Sequence, residues 1–131
     1  MKNGFTISEV IPASASEIYA AWLSSDGHAA MTGSPAQVDG TVGGRFTAWD
    51  GYISGSTLDL TQNQRIVQAW RTSEFPEEEP DSHIEVLLEE VDGSTKVTLT
   101  HRNIPTGQAD SYWQGWHDFY FKPMQNYFGD R

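Results

Sequence analysis

The chain has 131 residues, with 18 acidic against 8 basic side chains, no cysteine and a net charge of −10. This is the length of one ordinary domain, enough for a hydrophobic core without disulfides or a structural metal. The acidic excess argues against nucleic acid and anionic membranes as partners, and the lack of cysteine excludes disulfides, thiolate metal sites and a cysteine nucleophile.

Hydrophobic residues reach only 37%, but aromatics make up 12%, and each ring buries a large area. The N-terminal stretch has no continuous apolar run of the kind a signal peptide needs. No segment approaches the ~20 apolar residues of a membrane helix. The expectation is a soluble, cytoplasmic protein in one domain, residues 1–131.

Phe5–Ile11 alternates with period two and stops at Pro12, which predicts a strand. Ser14 or Ser16 then offers an N-cap for a short helix through Leu23, with Ile18 and Trp22 at helical spacing. His28–Met31 reads as a further helical turn, and residues 33–44 as small and turn-prone. Strand-like runs follow at 45–49, 52–60 and 65–72. Asp50-Gly51 marks a hairpin between the first two, and Thr61–Gln64 a weaker turn. An acidic, proline-bearing loop at 74–81 leads to strands at 83–91 and 95–102, joined by Asp92-Gly93-Ser94.

From Ala109 onward, Trp113, Trp116, Tyr120, Met124 and Tyr127 recur at spacings of three and four, which predicts a long amphipathic helix. Pro123 lies inside it, lacks an amide donor, and predicts a kink or an early end to regular helix. The order is strand, short helices, five antiparallel strands, long helix. A sheet of hairpins needs its apolar face covered, and only the last helix is long enough to cover it. The space between them is where function is sought.

Four blocks carry a resemblance: Val42-Gly43-Gly44-Arg45-Phe46, Asp50–Gly55, Arg65–Arg71 and Gln114-Gly115-Trp116 running on to Tyr127-Phe128-Gly129. Their order and spacing resemble the activator of heat shock protein 90 ATPase homologue family, specifically the C-terminal domain of the eukaryotic activator. The resemblance covers nearly the whole chain. It implies the START-like (SRPBCC) helix-grip fold, α+β, with a curved antiparallel sheet wrapped around the C-terminal helix, in agreement with the element order. It also implies a heat shock protein 90 type chaperone as partner. The activator has a further N-terminal domain, for which 131 residues leave no room. The wider superfamily contains lipid carriers, ligand receptors and a few enzymes.

Little chemistry is legible. The histidines His28, His83, His101 and His117 have no metal-ligand spacing, and no hydrolase or phosphate-binding motif is present. No catalytic, cofactor or metal residue is assigned. His117 is a polar handle toward a cavity or a boundary histidine, and His101 shares the phase of Val97 and Leu99 and points inward. Arg45, Arg65 and Arg71 belong at strand ends and on the exposed sheet face. Glu77-Glu78-Glu79 lacks the spacing of a calcium loop and reads as solvated.

The helix aromatics are core residues, cavity lining, or both, and Trp49 and Trp70 are candidates for a cavity floor. The candidate site is Trp49, Trp70, His101, Trp113, Trp116, His117, Tyr120 and Met124. The reading is a non-catalytic chaperone accessory. The alternative is a carrier of an apolar small molecule held under the helix, with a START-like enzyme such as a cyclase or hydrolase a lesser one.

Overall fold

A computed structural model describes residues 3–129. Seven strands form one antiparallel sheet in the order β1-β7-β6-β5-β4-β3-β2. They are β1 Asn3–Ile11, β2 Gln37–Val38, β3 Arg45–Ala48, β4 Ile53–Thr61, β5 Arg65–Thr72, β6 Ser82–Val91 and β7 Ser94–Ile104. Between β1 and β2 lie two short helices, α1 Ala15–Trp22 and α2 Ser25–Thr32, and after β7 come α3 Ala109–Trp116 and α4 Lys122–Gly129. Beyond the five strands expected after the short helices, Gln37–Val38 adds a sixth. It is two residues long, pairs with Thr47 and Phe46, and its turn-prone surroundings hide it from pattern reading.

The local causes are conventional. Ser14, not Ser16, caps α1 in a full capping box, its Oγ accepting from the Glu17 amide while Glu17 accepts from the Ser14 amide. Ser24 caps α2, and Gly33 closes it in the left-handed conformation at φ 83°. Asp92 and Gly93, both with positive φ, form a two-residue hairpin loop closing the Val91–Ser94 pair. On β4 the register shifts between Thr57 and Asp59, so Leu58 is an extra residue turned toward solvent.

One face of the sheet is apolar, built from alternate residues such as Ile7 and Ile11, Ile66 and Trp70, Ile84 and Val86, and Val97 and Leu99. The C-terminal helix closes over it with Tyr112, Trp116, Tyr120, Phe121, Met124 and Phe128. Trp113 and Tyr127 are outside this sector, at 44% and 40% exposure. The cause is a π-helical turn, His117–Phe121, in which the Lys122 amide donates to the His117 carbonyl five residues back. The sector therefore steps by four residues where an α-helical pattern alternates three and four. Pro123 does not end the helix: a wide turn lies directly before it, where its missing donor falls, and α4 continues to Gly129.

Arg65 and Arg71 take charge partners at the sheet. Arg65 contacts Glu85 at 2.6 Å and Asp59 at 2.8 Å. Arg71 binds Asp81 at 2.9 Å and the Glu79 carbonyl at 3.0 Å, and lies over the Phe75 ring, so it ties the acidic loop back to β5.

Candidate functional site

Between the β3–β4 turn and the start of the C-terminal helix lies a cleft of about 290 Å³. Trp49, Tyr52 and Ile53 supply one wall, Trp70 the floor from β5, and Tyr112, Gly115, Trp116, Phe119 and Tyr120 the roof. Seven of these nine residues are aromatic. The turn that delivers Trp49 is tight: the Gly51 amide donates to Ala48 O at 3.2 Å, and both central residues, Trp49 and Asp50, have positive φ at 50° and 56°. A bulky residue in that conformation is strained. Its ring is held edge-on to Phe119 at 5.2 Å, and its indole nitrogen is buried without a hydrogen-bond partner.

The polar ends of four lining rings, Trp116, Tyr120, Tyr112 and Tyr52, are engaged in structural hydrogen bonds with groups that do not line the cleft. Trp116 Nε1–H donates to His101 Nδ1 at 3.1 Å, which places the His101 proton on Nε2, where it is donated to Ser82 Oγ at 2.8 Å. The Ser82 hydroxyl passes to the Trp70 carbonyl at 2.6 Å. Tyr120 OH donates to His28 Nε2 at 2.7 Å, and His28 Nδ1–H to the Trp22 carbonyl at 2.9 Å. Tyr112 OH receives the Thr72 hydroxyl and donates to Gln108 Oε1 at 2.6 Å, while Tyr52 OH donates to the Glu74 carboxylate.

Burial sets the protonation states. It lowers His101 to about 3 and pushes His28 down as well, partly offset by the Trp22 carbonyl, so both imidazoles are neutral at pH 7. It raises Tyr120 and Tyr112, and raises Tyr52 with help from Glu74. Each buried histidine has both nitrogens engaged, so neither offers a free base to the cleft.

Of the residues singled out from sequence, Trp49, Trp70, Trp116 and Tyr120 meet at the cleft. His101 lies behind it, fully buried, with its ring 4.6 Å from that of Trp70. Met124 is fully buried one turn beyond the lining. Trp113 and His117 pack on each other at 4.5 Å along β1, where His117 Nδ1 is 3.5 Å from Glu9. The cleft also recruits Tyr52, Ile53, Tyr112, Gly115 and Phe119, which sequence reading did not select. A strict spacing of four from Trp116 marks Tyr112, whereas Tyr52 and Ile53 lie in the Asp50–Gly55 block without a spacing that marks them as cleft lining. Among the described residues no cluster of three or more metal-ligating side chains occurs, and no helix is long and apolar enough to cross a membrane.

Comparison with known proteins identifies relatives of this fold. Residues 12–129 match the family model for "Activator of Hsp90 ATPase homolog 1-like protein". The human activator of 90 kDa heat shock protein ATPase homolog 1 is 30% identical over 124 residues, covering 95% of this chain and 36% of that protein. The chain thus spans about a third of the length of the curated relatives it matches. Among solved structures, an HSP90 activator from Plasmodium falciparum superposes with a TM-score of 0.88 at 27% identity, covering 96% of each chain. CalU16 from Micromonospora echinospora shares the fold at a TM-score of 0.80 and 20% identity, covering 97% of this chain and 76% of its own.

Proposed function

The chain belongs to the activator of Hsp90 ATPase homolog 1-like family, and on that premise we propose that residues 1–131 form one non-catalytic domain that docks on an Hsp90-type chaperone and modulates its ATP turnover. The observation that carries this reading is the end-to-end match to the Plasmodium falciparum activator, which covers 96% of both chains. A non-catalytic role fits the site: the buried histidines are committed to hydrogen bonds, and the cleft lining is aromatic rather than nucleophilic. The same reading places the domain in the cytoplasm with its chaperone. The test is ATP turnover by the Hsp90 of the same organism, titrated with purified domain. Saturable stimulation with co-elution is expected; unchanged turnover and separate elution overturn it.

The cleft itself favours a second role beside docking, as a pocket for a largely apolar small molecule. Ring burial contributes roughly 25 cal/mol per Å² of apolar ligand surface before ordering costs. Native mass spectrometry of gently purified protein should show a mass excess that disappears on denaturation.

A further inference from the structure

We propose that the aromatic cleft is a site for a small alkylated ammonium cation, an inference that rests on reading the cleft as a ligand pocket. An apolar ligand is matched by aliphatic side chains as well as by rings, yet among the described residues Ile53 is the only aliphatic side chain in the lining. The rings are packed closely: Trp70 and Trp116 are 5.5 Å apart, Trp116 and Tyr120 4.7 Å, and Trp70 and Tyr112 5.2 Å. Aromatic faces carry a negative quadrupole, and a cation within about 6 Å of them is attracted, most strongly by Trp.

Four of these rings are polarised in the same sense. Tyr52, Tyr112, Tyr120 and Trp116 donate their O–H or N–H protons to Glu74, Gln108, His28 and His101, none of which lines the cleft. A hydrogen bond donated outward moves electron density back into the ring, which deepens the negative potential over its faces. Among the described residues no Lys, Arg or His lines the cleft to oppose a cation. The Glu74 carboxylate is fixed to Tyr52 at its border, its backbone held by Thr72 Oγ1 at 3.2 Å and by Gln108 Nε2 at 3.0 Å. The net charge of −10 favours the approach of a cation from solution.

The experiment compares choline with 3,3-dimethyl-1-butanol, which has the same shape without the charge, by following the indole N–H resonances of Trp49, Trp70 and Trp116. Choline is expected to bind at least about tenfold more tightly, the scale of a desolvated cation–ring attraction. Equal or weaker binding of choline overturns the cation assignment and leaves the apolar pocket standing. If neither compound moves a cleft resonance, both readings fall.

Two variants sharpen this. Phe119→Leu, at a 53% exposed position, keeps an apolar side chain but removes a ring. It should weaken choline severalfold and leave the alcohol unchanged, and equal weakening of both overturns the proposal. Gly115→Leu projects into space where an added Cβ meets only Phe119, at 3.8 Å, so it should fold normally and abolish binding of both. Binding of choline unaffected by Gly115→Leu places the cation elsewhere and overturns the assignment.

Discussion

Gly55 on β4 is paired with Phe46 on one side and Trp70 on the other, so two large rings flank a residue with no side chain. A Cβ built there lies 1.9 Å from the Ala69 carbonyl oxygen and 2.8 Å from Phe46 Cζ. The first contact is with backbone and cannot be relieved by a rotamer change. Gly55→Ala is therefore expected to cost at least ~3 kcal/mol, the upper range of overpacking, read from urea unfolding midpoints. Gly115→Ala provides the contrast: its Cβ makes only an ordinary contact with Phe119, at 3.8 Å, on a helix, and stability should rise by ~0.5–1 kcal/mol. A loss at Gly115 as large as that at Gly55 contradicts this account. Both glycines lie in blocks that sequence reading singled out, but their opposite roles are not legible there, because one depends on the backbone and ring of the two neighbouring strands and the other on the room left beside the cleft. Trp49 is similar. Asp50-Gly51 announces a turn, yet the left-handed backbone falls on Trp49 and Asp50 as well, and that displacement turns the indole toward Phe119.

All strands but the two-residue β2 are legible as elements because alternation runs through most of their length, and the inward phases of Trp70 and His101 follow from Ile66, Val97 and Leu99. The C-terminal helix was legible as amphipathic but not in phase. From Tyr112 to Phe128 is 16 residues, and at ~100° per residue an unbroken α-helix would turn the last of these some 160° away from the first. The π turn inserts about one residue, returning ~100°, so that Tyr112, Trp116, Tyr120, Met124 and Phe128 share one side. Nothing local to residues 117–121 announces that insertion except Pro123 after it, and the proline alone does not choose between a kink and a wide turn. The phase has a direct test. Tyr112 is 7% exposed and Trp113 44%. Tyr112→Ala should cost ~3–5 kcal/mol, as aromatic truncations in cores do, and Trp113→Ala under a third of that, both read from urea midpoints. The reverse order would restore the unbroken helical phase and displace Tyr112 from the cleft.

At the scale of the molecule, the two buried histidines couple folding to pH. His101 is held down to about 3 by burial, and His28 is shifted in the same direction. A lowered histidine means that the unfolded chain binds more protons, so stability rises with pH over the interval between the two values. The contribution is complete above the ordinary value of 6.5 and is lost as pH falls from 6.5 toward about 3. For His101 the loss by pH 5 is about 2 kcal/mol, following 1.4 kcal/mol per pH unit below 6.5. The acidic surplus acts in the opposite sense, since protonating some of the 18 carboxylates relieves their mutual repulsion. Moderate salt suppresses that second effect and leaves the histidines. Urea midpoints at 0.2 M salt should therefore be flat from pH 8 to 7 and fall between pH 6.5 and 4.5. In the folded protein the His101 ring should remain uncharged, with its proton on Nε2, throughout that range. A midpoint unchanged down to pH 4.5, or a His101 ring that charges near 6.5 while the protein stays folded, contradicts the Trp116–His101–Ser82 chain. Because that chain holds the ring of Trp116 in the roof of the cleft, acid should loosen the roof before it melts the interior strands of the sheet. Protection of the Trp116 indole N–H from exchange should then decline at a higher pH than protection of the β6–β7 backbone amides.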